Sequence, residues 1–202
     1  NQYNSVFISD VHLGFIGCKA EKLYEFLNNL NCKKLFLVGD IIDFWAMKDN
    51  FYWPKDHQRV LDKLKEIKDS GTNVFYITGN HDDPLRSKKD ANKFIKTDKR
   101  FKKILDKANT FKVVDSHIHE SQTQGKILII HGDQFDVVTS NIKWLSKFGG
   151  VLYEILLKLN RPLSKKLKSL TKKTVNKASN FQLNVRRLCR KEKYKGLLCG
   201  HT

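Results

Sequence analysis

The chain is 202 residues long, 40% hydrophobic and 29% charged, with a formal net charge of +17. It reads as a soluble globular protein with enough length for one domain and a full core. No apolar run reaches the ~20 residues of a membrane span, and Asn1-Gln2-Tyr3-Asn4 lacks the basic and apolar regions of a signal peptide. The four cysteines, Cys18, Cys32, Cys189 and Cys199, form no CxxC pair. A reduced, cytoplasmic compartment is the simpler expectation, with the thiols as small core residues.

The first elements come in a regular rhythm. Ser5-Val6-Phe7-Ile8-Ser9 is a short apolar run ending at Asp10, with His12 two places on. Residues 19–30 suit a helix with Ala20, Leu23, Phe26, Leu27 and Leu30 on one face. Leu35-Phe36-Leu37-Val38 suits a buried strand. It runs into Gly39 and Asp40, with Asp43 three places further. Asp40 is read either as a strand-end ligand or as a helix N-cap. Residues 54–69 suit a second helix, and Asn73-Val74-Phe75-Tyr76-Ile77-Thr78 a third strand ending in Gly79-Asn80-His81-Asp82. Strands recurring every 30–40 residues with helices between them predict a parallel sheet of βαβ units. The polar groups at their carboxyl ends then lie on one edge, where open α/β sheets bind ligands.

A polar helix is expected over 88–108, then strands at 111–114 and 127–130 flanking a polar hairpin or loop. In that loop His117 and His119 read as solvated. His57, on the second helix, reads as structural or exposed. The strand at 127–130 ends in His131-Gly132-Asp133, and a last strand at 196–199 ends in Gly200-His201-Thr202. Between them, Ile142, Leu145, Phe148, Leu152, Ile155, Leu156 and Leu159 mark an amphipathic helix. A Lys-rich stretch from Lys165 to Lys177 and a helix around 181–190 follow. Residues 141–195 hold 16 Lys or Arg against two acids, Glu154 and Glu192, so this segment carries +14 of the +17. The organisation expected is one domain over 1–202 with a helical, basic and apolar lid at about 137–195. The charge is either a solvated face or a surface for an anionic partner.

The strand ends collect Asp10, His12, Asp40, Asn80, His131 and His201. Two carboxylates, an amide oxygen and three imidazoles suit Mn²⁺, Fe or Zn²⁺, and Mg²⁺ less well. Six ligands exceed the need of one open metal. Two divalent metals sharing a carboxylate use them all, a geometry suited to in-line displacement at phosphorus. His81, beside Asn80, is placed to protonate a leaving oxygen.

Asp10-Val11-His12, Gly39-Asp40-Ile41-Ile42-Asp43, Gly79-Asn80-His81-Asp82, His131-Gly132-Asp133 and Gly200-His201-Thr202 resemble the five ordered motifs of the calcineurin-like metallophosphoesterases. The resemblance implies an αββα sandwich with a dinuclear site, manganese being the first choice of metal. It implies that Asp10 and His12 bind one metal, Asp40 bridges, and Asn80, His131 and His201 bind the other. His81 is then the phosphate-contacting acid, Asp82 its orienting partner, and Asp43 a support behind the ligands. The family's last motif is usually GHxH; here Thr202 follows His201. The expectation is a fragment of a longer protein that supplies that histidine and further strands of the second sheet.

Gly132-Asp133-Gln134-Phe135-Asp136, the Trp-bearing helix and Leu159-Asn160-Arg161-Pro162 look like the UDP-2,3-diacylglucosamine hydrolase branch. The resemblance implies cleavage of that lipid pyrophosphate to UMP and lipid X in lipid A synthesis. The lid would then take the acyl chains, at the inner face of a bacterial inner membrane. Substrate-contacting candidates are Trp45, Trp144, Arg161 and Lys165, although Trp45 and Phe44 suit a core equally well. His81 is the general phosphoesterase form; many of those hydrolases carry arginine there. The alternative is a phosphodiesterase or nuclease that grips nucleic acid or nucleotides through the basic insert.

Overall fold

The structure is a computed structural model and describes residues 2–133 and 185–201. Strand and helix alternate from the start: β1 (Tyr3–Ile8), α1 (Ala20–Asn28), β2 (Cys32–Val38), α2 (Phe44–Asp49), α3 (Lys55–Asp69), β3 (Asn73–Ile77), α4 (Asp83–Arg86), α5 (Lys88–Thr97), α6 (Arg100–Ala108) and β4 (Lys112–Val114). The four strands form one sheet in chain order, each pair parallel. Parallel neighbours require a crossover, and helices supply every one here. Crossovers of one hand, all stepping the same way, stack the helices on one face. This is the expected α/β architecture.

Side-chain alternation divides the sheet's two faces. Val6 and Ile8, Leu35 and Leu37, and Val74 and Tyr76 join the main core with Leu27, Leu61, Leu64, Ile104 and Leu105 from the helices. The opposite face carries an aromatic ladder set by register. Phe7 pairs with Phe36, and Phe36 with Phe75, across neighbouring strands. Their rings stack 4.9 and 5.0 Å apart. β2 is thus covered on both sides; Leu35, Phe36 and Val38 are fully buried. Such burial is why it reads as a continuous apolar run rather than an alternating one.

β5 (His117–Ser121), β6 (Gly125–Ile129) and β7 (Gly196–Leu198) form a second, three-stranded sheet. Residues 185–192 are helical. The chain groups into two compact units, Asn1–His117 with Ile129–His131 and Cys199–Thr202, and Ile118–Leu128 with Gly132–Leu198. No helix among the described residues is long and apolar enough to cross a membrane.

Several local expectations change. His117 and His119 lie on β5, not in a solvated loop. The His117 ring packs 4.2 Å from Phe75, and His119 is buried. His57 takes the structural alternative: it is buried and accepts the Gly14 N–H at 2.9 Å. Phe26, expected on the inner face of α1, is 47% exposed. The helix expected over 88–108 is two helices. Ser87 caps α5 by accepting from Asp90 N–H, and extended Asp98 accepts from Arg100 N–H to start α6. Cys32 is buried and Cys18, Cys189 and Cys199 are half-buried. Burial, with Asp56 nearby, pushes the Cys18 thiol up to about 11. The amphipathic and Lys-rich parts of the expected lid, with Trp144, Arg161 and Lys165, lie outside the described residues.

Candidate metal centre

The parallel sheet delivers its strand ends to one edge. β1 leads to Asp10 and His12, β2 to Asp40 and β3 to Asn80. Pairing continues beyond the strands: Asp10 N–H donates to Gly39 O, His12 N–H to Asp40 O, Leu13 N–H to Ile41 O, and Asp43 N–H back to Leu13 O. The first two motif loops are therefore zipped together by main-chain bonds, which fixes Asp10 and His12 against Asp40. Ligand atoms of Asp10, His12 and Asp40 lie within 4.8 Å of one another, and so do those of Asp40, His131 and His201. Asp40 belongs to both groups. His201 N–H also reaches the Asp10 carboxylate, 3.3 Å from each oxygen.

The backbone at these positions is strained. Asp10, His12, Asp40 and His201 have φ between 52° and 55°. Only one other described non-glycine residue, Lys193, has a positive φ. Left-handed non-glycine residues cost of order 1–3 kcal/mol each and gather at functional sites. Gly79 answers to close approach, and Gly39 both to close approach and to a φ of 75°. A Cβ on Gly79 would sit 2.2 Å from Asp40 Oδ1, and one on Gly39 2.2 Å from His131 Nδ1. Each glycine leaves room for a ligand arriving from another strand.

Hydrogen bonds fix how the imidazoles face. His131 Nδ1 lies 3.2 Å from Val38 O. A carbonyl can only accept, so Nδ1 carries the proton and Nε2 presents its lone pair. That Nε2 lies 3.2 Å from Asp40 Oδ2. His12 Nδ1 pairs with Asp43 Oδ2 at 3.0 Å, which leaves its Nε2 for a ligand role. Asn80 is the test of whether the set fits a cation. Its Oδ1 is buried without a hydrogen-bond partner among the described residues. A buried amide oxygen without a donor is costly alone and well suited to a hard or borderline cation. The donor set fits divalent metal.

Two aspartates behind the ligands have separate tasks. Asp82, expected to orient His81, is fully buried beneath Asp40. Its oxygens accept from Asp40 N–H at 2.6 Å, Gly79 N–H at 3.0 Å, Ile42 N–H at 3.1 Å and Tyr76 O–H at 2.7 Å. It ties the second and third motif loops together by their backbones. Asp43 is what holds His81, with Oδ1 2.7 Å from His81 Nδ1, while its Oδ2 holds His12. Asp43 also caps α2 by accepting from Ala46 N–H at 2.8 Å. The cap is therefore Asp43 and not Asp40.

Electrostatics follow from these contacts. Burial pushes the Asp43 carboxyl up, but the His12 and His81 hydrogen bonds and the Ala46 N–H outweigh it and hold it well below the usual carboxylate range. Asp40 shows the same balance and is lowered, chiefly by His131. His12 is raised by its bond to Asp43. His81 is raised despite burial, through Asp43 and Asp40. Asp82 is raised by burial.

Phe44 and Trp45, ambiguous in sequence, separate: Phe44 is buried, and Trp45 is 41% exposed with its ring 4.5 Å from that of His81. Sequence reasoning missed Tyr76, whose hydroxyl is the polar group in the buried part of β3. It also missed Arg86, which pins the third loop through Thr78 Oγ1 at 3.1 Å and Asp83 at 3.0 Å.

A family model described as calcineurin-like phosphoesterase matches residues 3–202. Among curated proteins, one from Haemophilus influenzae named UDP-2,3-diacylglucosamine hydrolase is 33% identical over 82 residues, 39% of this chain and 34% of its own. A protein of that name from Porphyromonas gingivalis is 29% identical over 83 residues, 38% of this chain and 31% of its own. Another from Aliivibrio fischeri is 25% identical over 211 residues, 98% of this chain and 80% of its own. Against the first two, the aligned part spans about a third of the relative's length.

Proposed function

The chain belongs to the calcineurin-like phosphoesterase family, and from that premise we propose that it is a metal-dependent hydrolase of a nucleotide-linked lipid pyrophosphate. The observation that carries this is Asp40, shared by the two ligand groups. In this reading Asp10, His12 and Asp40 hold one divalent ion, and Asp40, Asn80, His131 and His201 hold the other. Manganese is the first choice for this mixture of imidazole and oxygen donors. When bound, such a pair lowers the pKa of a coordinated water and neutralises charge on the phosphoryl oxygens.

The chain's own residues supply the rest. Asp43 fixes the His81 ring through Nδ1, so that Nε2 carries a proton towards the leaving oxygen. Asp82 and Tyr76 position Asp40 through its backbone. Trp45 offers an apolar wall beside His81 for a ring or sugar of the substrate.

The substrate reading is UDP-2,3-diacylglucosamine, cleaved to UMP and lipid X. It is supported by the names of the curated relatives and by the basic, apolar segment at 137–195, read as a lid whose apolar side takes the acyl chains, with Trp144, Arg161 and Lys165 as substrate contacts. The enzyme then works against the anionic inner face of the inner membrane. The test is UMP release from UDP-2,3-diacylglucosamine with Mn²⁺, together with metal content. Wild type is expected to hold two ions per chain and release UMP; Asp40→Ala is expected to lose both. One ion per chain in active wild type overturns the shared role of Asp40. Activity confined to nucleic acid or a simple phosphodiester overturns the lipid substrate.

A further inference from the structure

The basic insert is not the chain's one concentration of positive charge. Residues 88–108 hold nine basic and three acidic residues, a net +6. The structure shows where that charge faces. Phe101, Ile104, Leu105 and Ala108 of α6 are buried, and Ala91, Phe94 and Ile95 of α5 pack against the core. The lysines take the outer side. Lys93, Lys102 and Lys107 pair with Asp90, Asp106 and Asp62, and Arg100 with Asp98. Lys88, Lys89, Lys96, Lys99 and Lys103 are exposed and have no acidic partner within ion-pair distance among the described residues.

The inward side of these helices packs towards the metal centre. Phe94 and Phe101 pack on Phe44 at 5.8 and 6.1 Å, and Phe51 on Phe101 at 5.3 Å. Phe44 opens α2, next to Trp45, which lies against His81. Only the short α4 (Asp83–Arg86) separates the α5–α6 pair from the Asn80-His81-Asp82 loop.

We propose that the outer face of α5 and α6, through Lys88, Lys89, Lys96, Lys99 and Lys103, docks on an anionic lipid bilayer. It acts independently of the basic insert and sets the metal centre at a fixed height beside the surface that holds the substrate. The orienting role rests on the lipid-substrate reading above; the docking itself does not. Exposed lysines without an acidic partner among the described residues, on the sides of two successive helices that face away from the core, are attracted to anionic headgroups. Nucleic acid fits less well, because a strand-binding groove exposes stacking aromatics among its basic residues. Here Phe94 and Phe101 of the same two helices are turned inward.

The experiment uses the full chain with Mn²⁺ and co-sedimentation with phosphatidylcholine vesicles, with and without phosphatidylglycerol. Two sets of variants are compared. One replaces the five α5–α6 lysines with Gln, or with Arg. The other makes five Lys→Gln changes at Lys165, Lys166, Lys168, Lys172 and Lys173. The α5–α6 Gln variant is expected to lose at least ~10-fold in partition onto anionic vesicles, and the Arg variant to keep it. Hydrolysis of bis(p-nitrophenyl) phosphate, which reports the intact fold and site, is expected to stay unchanged. Wild-type binding should also fall with added salt. Unchanged partition of the α5–α6 Gln variant, with loss confined to the insert variant, overturns the proposal. So does a variant that loses affinity for single-stranded DNA while keeping vesicle binding. Assay of UDP-2,3-diacylglucosamine in detergent micelles separates the two readings: failure there removes the substrate and leaves the vesicle result standing.

Discussion

At the scale of single residues, the organising groups are two aspartates that touch no proposed substrate. Asp82 accepts four hydrogen bonds, three of them from backbone N–H groups in two different loops. Asp82→Asn keeps the shape but turns one oxygen into a donor facing a donor. Loss of charged hydrogen bonds and a buried clash are expected to cost about 3 kcal/mol, read as a lower urea midpoint at unchanged m-value. A loss below about 0.5 kcal/mol would show that the loops hold Asp40 without it. Asp43 links His12 to His81 through its two oxygens. One side chain thus aligns a proposed metal ligand and a proposed proton donor.

At the scale of elements, the loops matter more than the strands that carry them. Gly79 lies in the loop after β3, and a Cβ there meets Asp40 Oδ1 at 2.2 Å and Asp40 N at 2.6 Å. Neither atom can yield without displacing the shared carboxylate. Gly79→Ala is expected to bind fewer metal ions per chain while far-UV circular dichroism stays close to wild type. Full metal content in that variant would mean the loop can move. β2 has the opposite character, packed on both faces. Phe36 is fully buried between Phe7 and Phe75, whereas Phe7 is only partly buried. Phe36→Ala is expected to cost about 4 kcal/mol and Phe7→Ala clearly less. Equal costs by chemical denaturation would deny the ladder its central member.

At the scale of the whole molecule, the histidines pull stability in opposite directions with pH. His57 is lowered from its ordinary value by burial and accepts the Gly14 N–H as the neutral ring. The unfolded chain takes up a proton near pH ~6.5, while folded His57 resists until lower pH. Its contribution is therefore complete above that value and is lost as pH falls towards the folded pKa. His12 and His81 are raised. They add stability below ~6.5, which is lost as pH rises through their folded values. His57→Asn retains an acceptor for Gly14 and removes the titration. Between slightly alkaline and mildly acid pH, wild type is expected to lose more stability than His57→Asn. Parallel losses would place the acid sensitivity elsewhere.

The sequence alone named the candidate ligands and determined the parallel sheet. Three short apolar runs ending at Asp10, Asp40 and Asn80, separated by helix-length segments, leave little choice but parallel βαβ units with those groups on one edge, whereas His131 and His201 follow β6 and β7 of the second sheet. Asp10, His12, Asp40, Asn80, His131 and His201 stand out as candidates because their local signals, apolar run then turn then polar group, lie within a few residues of each other. Only tertiary structure decided the partners. That Asp43 rather than Asp82 holds His81, that Tyr76 closes the Asp82 network, that His117 is packed and not solvated, and that α5 and α6 turn their lysines outward all depend on contacts between distant segments. Asp82 and Asp43 are the same side chain in similar motifs. Depth separates them: one is buried beneath the strand ends among backbone donors, and the other lies where two imidazoles converge.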